Sequence, residues 1–372
     1  MGEPIRVLYW GMTENIGGIE SFIINVYRNI DRSKVQIDFL LNKDMPKIAF
    51  EEEIKELGGH IYRVMIPERK SWIGARKSLD YFFKTHSYYK AVHIHANFPY
   101  AFPLKYAKKY GIPLRIIHSH NSSHDKKSKG IKNILSALRD IQIKRQIKKY
   151  PNCYLACSDL AANYMFPNQD YTWIKNSINL EKFRFNEESR NEIRKELYIE
   201  EDCTLIGFIG RLREQKNLFF LIDIFKEYLK LNSNSKLFIA GIGEQEKELK
   251  EYAHDLIENK DIIFLGKRED ADKLYQAMDV FLLPSLYEGL PVVLVESQTA
   301  GLPSFTSDVV TKQVDLTDLI NYYPLDKSAQ DWAKMIKKYL NNKDRNSYYD
   351  IMESQGFDVK DVALELEKLY LK

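Results

Sequence analysis

The sequence predicts an α/β protein with two domains, each built around a parallel sheet. At 372 residues the chain is too long for one ordinary hydrophobic core and suits two. Short segments rich in β-branched and aromatic residues alternate with amphipathic segments along almost the whole chain. This pattern is typical of parallel sheets covered on both faces by right-handed crossovers. The alternation lapses between about Asn176 and Glu200, which predicts a domain junction there.

Nine segments are predicted to be buried strands, because each is short, apolar and followed by a polar loop. They are residues 5–10, 34–41, 91–95, 113–120, 153–158, 204–211, 235–241, 261–266 and 279–285. A first helix should begin near Gly18, and helical spacing of apolar residues after Asp358 predicts a closing helix. We expect domains at 1–180 and 181–355, with the terminal helix 356–372 returning to the first domain.

The composition indicates an ordinary globular protein, with 44% hydrophobic and 29% charged residues. A net charge of +3 gives no reason to expect a nucleic-acid partner. No apolar run reaches the roughly 18 residues that a membrane-spanning helix needs. Three cysteines are a sparse and odd set, which favours a reducing compartment. We therefore expect a cytoplasmic protein.

Positive charge is concentrated between Leu104 and Tyr150, which hold thirteen Lys or Arg residues against two acidic ones. One interpretation is a solvated helix face. The other is attraction to anionic lipid headgroups at the inner leaflet of a membrane, or to a diphosphate-bearing acceptor. The second interpretation depends most on Lys126, Lys127, Lys129 and Lys132.

Residues 279–303 predict a phosphate site at a helix N-terminus. A strand ends near Leu283, a loop follows, and Pro291 suits the first helical position because of its fixed φ and missing N–H. The new helix should then direct unpaired amides outward from the carboxyl edge of a sheet, where amides and helix dipole bind anions. The amides are those of Val292, Val293 and Leu294.

Two acidic residues accompany this predicted phosphate site. Glu288 lies in the loop and Glu296 lies one turn into the helix. Carboxylates are poor phosphate ligands, but they accept hydrogen bonds from hydroxyl groups on the sugars that flank a diphosphate. The alternative interpretations are a charge partner for the helix N-terminus and a solvated helix residue.

The segment 207–217 predicts charge neutralisation. A strand ends at Ile209, Gly210 lets the backbone turn, and Arg211 and Lys216 flank the following loop. Two fixed cations can neutralise a leaving diphosphate without a metal, although exposed Arg and Lys residues are common on any surface.

Glycine-rich turns add a weaker signal. Gly17 and Gly18 follow the first strand and allow a phosphate to approach the backbone closely. The segment 241–246 lacks the third glycine of a dinucleotide fingerprint, so a nicotinamide site is not expected. The chain also has no GxxxxGK[ST] sequence, which argues against a P-loop nucleotidase.

Together these motifs resemble the retaining glycosyltransferases of family 4, which share the GT-B fold, and above all those that build capsular polysaccharides and exopolysaccharides. The resemblance covers nearly the whole chain through GGIE (17–20), HSHN (118–121), GRLREQKN (210–217), Glu288 with Glu296, and AGLP (300–303). It implies two facing Rossmann-like domains with a central cleft. It also implies a nucleotide diphosphate sugar as donor, with UDP preferred and GDP open, and a lipid-linked saccharide acceptor.

The resemblance also implies residue roles. Arg211 and Lys216 should hold the diphosphate, and Glu296 should bind the ribose hydroxyls. Glu288, with the Gly289–Leu290 backbone, should bind the donor sugar. The main chain of Lys267–Arg268 should contact the base, and His120 should lie against the transferred sugar. Such enzymes are thought to use front-face attack, so no nucleophile, no metal and no further cofactor is expected. The family's Asn-Gly-Ile/Val-Asp appears as residues 176–179, NSIN, which puts the interdomain turn in doubt.

Three signals are interpreted as structural. His93, His95, His118 and His120 are expected to be buried histidines rather than metal ligands. Cys153 and Cys157 lack a second pair for zinc, and Ser158 is interpreted as a helix N-cap, with a phosphate contact as the alternative. Two rival functions stay open: a nucleotide-sugar epimerase, which needs no acceptor, and a non-catalytic partner subunit.

Overall fold

The computed structural model describes residues 2–66, 72–121, 145–340 and 344–372. The chain divides into two compact units, the first formed by Met1–Ser177 with Val359–Lys372, and the second by Ile178–Asp358. The junction therefore lies at Ser177 rather than at residue 180. The tail joins the first unit at Val359 rather than at residue 356.

The first unit contains a seven-stranded parallel sheet in the order β3-β2-β1-β4-β5-β6-β7. Its strands are β1 Ile5–Trp10, β2 Val35–Asn42, β3 Ile61–Val64, β4 Ala91–Ala96, β5 Leu114–Ser119, β6 Cys153–Ala156 and β7 Thr172–Trp173. Its helices before the junction are α1 Gly18–Asn29, α2 Glu51–Glu56, α3 Trp72–Thr85, α4 Phe102–Lys109 and α5 Asp159–Met165.

The second unit contains a six-stranded parallel sheet in the order β10-β9-β8-β11-β12-β13. Its strands are β8 Thr204–Ile209, β9 Ser235–Ala240, β10 Ile262–Gly266, β11 Val280–Leu283, β12 Ser304–Ser307 and β13 Ile320–Tyr323. The helices are α6 Leu180–Phe183, α7 Glu187–Glu196, α8 Leu218–Leu231, α9 Glu246–Tyr252, α10 His254–Glu258, α11 Ala271–Ala277, α12 Val292–Thr299, α13 Ala329–Tyr339 and α14 Tyr348–Ser354.

The tail forms a last helix, α15 Val359–Leu371, which packs against α1. Its apolar residues join the core of the first unit, and Tyr370 donates or accepts a hydrogen bond with the Tyr9 hydroxyl at 2.5 Å. Lys34 adds an ion pair to Glu367 at 3.1 Å. The predicted return of the closing helix to the first domain is confirmed.

All nine predicted strands are present, and the predicted α/β class with two Rossmann-like units is confirmed. Four further strands had escaped prediction. β3 is largely half-buried and β7 has only two residues, both exposed. β12 is fully buried but has the sequence SFTS. Three of its four residues carry hydroxyls, so it lacks the apolar pattern of a buried strand.

Four buried histidines lie in the first unit: His93 and His95 on β4, His118 on β5, and His120 immediately after β5. His93 Nε2 lies 3.3 Å from His118 Nδ1, and His95 Nδ1 lies 3.0 Å from His120 Nε2. The Tyr370 hydroxyl lies 2.7 Å from His93 Nδ1. Burial lowers the pKa of all four imidazoles, in the case of His120 to about 3. The histidine array is therefore neutral at physiological pH.

This array should make the first unit acid-labile. An unfolded histidine has a pKa near 6.5, so below that pH the unfolded chain binds protons that the folded array excludes. The free energy of unfolding should therefore fall as pH drops from 7 to 5, by up to about 1.4 kcal/mol per pH unit for each histidine. Urea denaturation of His95→Gln should show a shallower pH dependence than the wild type. His254→Gln, at an exposed histidine, should keep the full slope, and equal slopes in all three proteins would contradict the prediction.

Candidate active site

Most of the predicted donor residues follow strands of the second sheet at its carboxyl edge. The segment 210–217 follows β8 and the segment 284–291 follows β11, and these two strands are paired in parallel. They are also the strands at which the sheet order reverses. Loops at such a switch point diverge and leave room for a ligand beyond the strand ends.

Two glycines of the β9–α9 loop hold the segment 210–217 in place. A Cβ atom on Gly241 would lie 1.9 Å from the Gly210 carbonyl oxygen, and one on Gly243 would lie 2.2 Å from that of Leu212. The Leu212 amide also donates to the Ile242 carbonyl at 3.0 Å. The glycines of 241–246 thus serve backbone-to-backbone packing, and any side chain there would displace Arg211.

The two predicted cations lie in different surroundings. Arg211 is exposed, and it has no hydrogen-bond or ion-pair partner within the described residues. Lys216 ends a short 3₁₀ turn, its side chain is only 12% exposed, and its Nζ lies 2.6 Å from Glu288 Oε1. Lys216 is therefore a paired cation and Arg211 an open one.

Glu288 is the residue that joins the two loops. Its side chain is 8% exposed, and its Oε1 accepts from the Ser285 hydroxyl at 2.7 Å as well as from Lys216. Gln215 Nε2 donates to Glu288 Oε2 at 3.2 Å and to the Tyr287 carbonyl at 2.8 Å. Lys216, Ser285 and Gln215 therefore help to fix this carboxylate. Gln215 and Ser285 had not been predicted as site residues, although both lie inside the quoted motifs.

Helix α12 begins one residue later than predicted. Pro291 is its N-cap, with φ −72° and ψ 112°, and Val292 is the first helical residue. The Leu294 amide donates to the Pro291 carbonyl at 3.0 Å, so the prediction that it is unpaired is wrong. Val292 and Val293 have no backbone hydrogen-bond partner for their amides within the described chain. Two amides, rather than three, are available to an anion.

Glu296 lies in the second turn of α12 and is partly exposed. Tyr275 donates its hydroxyl to Glu296 Oε2 at 2.8 Å. Desolvation raises the pKa of Glu296 to about 7, against the hydrogen bond from Tyr275 and together with the charge of Asp272. Its charge therefore changes near neutral pH. No sequence pattern had indicated Tyr275.

The segment at Lys267–Arg268 uses its side chains within the second unit. Arg268 forms ion pairs with Asp270 at 2.6 Å and with Glu196 at 2.7 Å, while Lys267 is exposed. Asp270 and Asp272 form an Asp-x-Asp sequence, the spacing of a metal-binding motif, but both oxygens of Asp270 accept hydrogen bonds from Arg268. The expected contact of this segment through its main chain stays a prediction.

Gly17 and Gly18 lie at the start of α1 in the first unit. Gly17 is the N-cap with extended φ and ψ, and a Cβ there would lie 2.9 Å from Glu20 Oε2. Glu20 is buried, and Thr13 donates to its Oε1 at 2.6 Å. At Gly18 a Cβ would meet no atom within 4 Å. A local contact with Glu20 thus explains Gly17, while Gly18 leaves its surface open.

His120 lies just after β5, and burial keeps it neutral. A neutral imidazole that already meets His95 can donate or accept a hydrogen bond, but it cannot supply a positive charge. His93, His95 and His118 offer nitrogen atoms within 4.8 Å of one another. The His93 and His95 rings are stacked, with centroids 4.1 Å apart and planes at 20°. One metal ion cannot lie in both ring planes at the usual 2.0–2.1 Å.

The remaining predicted features have structural explanations or fall elsewhere. Ser158 accepts from the Ala161 amide at 3.2 Å as the N-cap of α5, and all three cysteines are free thiols. Lys109 forms an ion pair with Asp80 at 2.6 Å. The four lysines on which the lipid interpretation most depends lie outside the described residues: Lys126, Lys127, Lys129 and Lys132. None of the helices described in the structure is long and apolar enough to cross a membrane.

The two cations should differ in their effect on stability. Lys216→Met would leave the Glu288 carboxylate buried without its charge partner, at a cost of about 3 kcal/mol in the free energy of unfolding. Arg211→Met should change that free energy by less than about 0.5 kcal/mol, because Arg211 is exposed and unpaired. Urea denaturation measures both. The double variant Lys216→Met/Glu288→Gln should recover part of the loss, and equal stability of the two single variants would contradict the pairing.

Residues 189–354 match the family model for glycosyl transferases group 1. EpsF of Bacillus subtilis (strain 168), which bears the name of a glycosyltransferase, is 33% identical over 339 residues, which are 90% of this chain and 87% of EpsF. A second relative is 34% identical over 139 residues, or 37% of this chain and 36% of its own. It is the UDP-Gal:α-D-GlcNAc-diphosphoundecaprenol α-1,3-galactosyltransferase of Escherichia coli.

Among solved structures, Anabaena HepE in complex with UDP and glucose superposes with a TM-score of 0.74 at 16% identity, covering 98% of this chain and 99% of HepE. At that identity the likeness shows the fold alone, and the GT-B fold expected from the sequence is confirmed. The extent of the match to EpsF establishes the family. The chain belongs to the group 1 glycosyltransferases.

Proposed function

We propose that this glycosyltransferase moves a sugar from a UDP-sugar to a saccharide acceptor, with retention of configuration and without a metal ion. The observation that carries the proposal is the joining of Lys216 and Glu288 at the switch point of the second sheet, beside Arg211 and the start of α12. Cations and free amides at this edge suit a diphosphate. Fixed carboxylates beside them suit hydroxyl groups.

The proposed donor contacts follow from this arrangement. Arg211, Lys216 and the amides of Val292 and Val293 receive the diphosphate. Glu296 receives the ribose hydroxyls, and Glu288 with the Gly289–Leu290 backbone receives the sugar. UDP is the nucleotide proposed, because HepE is described with UDP and the Escherichia coli relative is named for UDP-Gal.

Glu288 is proposed to position the donor rather than to attack it. Its carboxylate is buried and already accepts hydrogen bonds from Lys216, Ser285 and Gln215, and such donors lower the nucleophilicity of a carboxylate. Retention would then proceed by front-face attack, with the leaving phosphate taking the acceptor proton. His120, which is neutral, would contribute a hydrogen bond near the transferred group.

The acceptor is proposed to be a lipid-linked saccharide used in capsule or exopolysaccharide biosynthesis at the cytoplasmic leaflet. The Escherichia coli relative is named for a diphosphoundecaprenol acceptor. The basic stretch from Leu104 to Tyr150 belongs to the first unit, and each cation near an anionic surface contributes up to about 1 kcal/mol.

Ligand binding tests the donor assignment. UDP, UDP-glucose, UDP-galactose and UDP-N-acetylglucosamine should raise the melting temperature, because a ligand at 100 times its dissociation constant stabilises the folded state by about 2.7 kcal/mol. The shifts should persist in EDTA, and NAD should give none. A shift with GDP-mannose but not with any UDP compound would reassign the nucleotide. Conversion of the donor with no acceptor present would indicate an epimerase instead.

Arg211→Ala should lower turnover of the selected donor on the order of a hundredfold, because it removes a charge contact that strengthens as the diphosphate leaves. The substitution should leave the melting temperature unchanged. Steady-state rates of acceptor glycosylation give the answer. The matched control is Arg213→Ala, at the neighbouring arginine of the same loop, which should keep close to the wild-type rate. The same loss in both variants would indicate general damage to the loop.

Sedimentation with vesicles tests the membrane proposal. The protein should bind phosphatidylserine vesicles but not phosphatidylcholine vesicles at low salt, and binding should fall sharply as salt screens the attraction. Replacing Lys126, Lys127, Lys129 and Lys132 with Glu should release the protein while UDP still binds. No binding to anionic vesicles at any salt concentration would leave a solvated helix face as the explanation.

A further inference from the structure

Tyr275 is held by contacts to both its ring and its backbone. Its side chain is fully buried on α11, and its ring lies against those of Phe183 and Phe281, with centroids 5.8 Å and 5.5 Å away. Arg345 donates to the Tyr275 carbonyl at 2.9 Å. Backbone and ring are therefore both fixed, and the position of the hydroxyl oxygen is fixed with them.

The Tyr275 hydroxyl contacts only one of the two carboxylate oxygens of Glu296. Tyr275 donates to Glu296 Oε2 at 2.8 Å, while Glu296 Oε1 has no hydrogen-bond partner within the described residues. A carboxylate held by a single rigid donor has one oriented oxygen and one open oxygen. The open oxygen of Glu296 can then accept hydroxyl groups of a ligand in a fixed direction.

We propose that Tyr275 is a positioning residue for nucleotide binding, which acts by orienting the Glu296 carboxylate toward the ribose hydroxyls. The inference rests on the proposed function, and it adds to it a residue that does not itself touch the donor. A rigid supporting residue of this kind lowers the loss of side-chain freedom on binding.

The arrangement also sets the charge of Glu296. On α11, Tyr275 favours the ionised carboxylate through its hydrogen bond, whereas Asp272 and the surrounding burial favour the neutral acid. Helices α6 and α14 and strand β12 also pack against α12, but α11 alone brings a described titratable group that acts on Glu296. Removing the phenol hydroxyl should therefore raise the pKa of Glu296. As pH is lowered, nucleotide affinity would then begin to fall at a higher pH than in the wild type, because Glu296 becomes protonated sooner.

A double-mutant cycle with UDP as the probe tests the inference. Affinities are measured by calorimetry from pH 5.5 to 8.5 for the wild type, Tyr275→Phe, Glu296→Ala and the double variant. Tyr275→Phe should weaken UDP binding about fivefold at pH 7, and the loss should shrink at pH 8.5, where the carboxylate is ionised in both proteins. In the Glu296→Ala background, where Tyr275 has no side chain to orient, Tyr275→Phe should cause no further loss. The titration of UDP itself cancels in the ratios.

Tyr228→Phe is the matched control, because Tyr228 is a buried tyrosine of α8 in the same unit; its affinity should stay within twofold of the wild type. Equal UDP affinity of Tyr275→Phe and the wild type at every pH would overturn the inference, and so would the same loss with and without Glu296. A wild-type protein that binds no UDP would refute the proposed function itself. Melting temperatures without ligand show whether each variant is folded.

Discussion

The buried ion pair between Lys216 and Glu288 is the interaction on which the rest of the candidate site depends. The two charges lie on loops that follow adjacent strands, β8 and β11. Their contact at 2.6 Å therefore joins the two loops at the switch point of the sheet. Removing either charge would leave the other buried without a partner, which is energetically costly. Gln215, the neighbour of Lys216, also donates to the Tyr287 carbonyl. The ion pair and this hydrogen bond therefore join the two loops through both side chains and backbone.

Backbone packing also supports the loop that carries Arg211 and Lys216. The Gly241 and Gly243 positions allow the β9–α9 loop to touch the backbone at Gly210 and Leu212, and the Leu212 amide donates across the contact. The segment that carries Arg211 is thus confined between a glycine turn and an ion pair. An exposed arginine on a rigid loop loses less conformational freedom on binding an anion than one on a mobile loop.

The sequence predicted the strands that are apolar and continuous, because burial on both faces of a parallel sheet leaves a direct record in composition. It could not predict β12, whose buried hydroxyls bond to neighbouring backbone, as Thr306 does to the Leu283 carbonyl at 2.8 Å. The motifs identified candidate residues, but not the side chains that these residues contact. That Lys216 meets Glu288, or that Tyr275 meets Glu296, depends on tertiary packing across 72 and 21 residues of sequence.

The charges at the sheet edge indicate how an anion could be accommodated without breaking the pair. An ammonium group has three donors, and Glu288 accepts from Lys216 at only one of its oxygens. Lys216 can therefore keep Glu288 and still direct a donor to a phosphate, whereas Arg211 brings an uncompensated positive charge. Glu296, with a pKa near 7, adds less than a full negative charge at neutral pH. The local balance of charge at this edge of the sheet thus favours an anion.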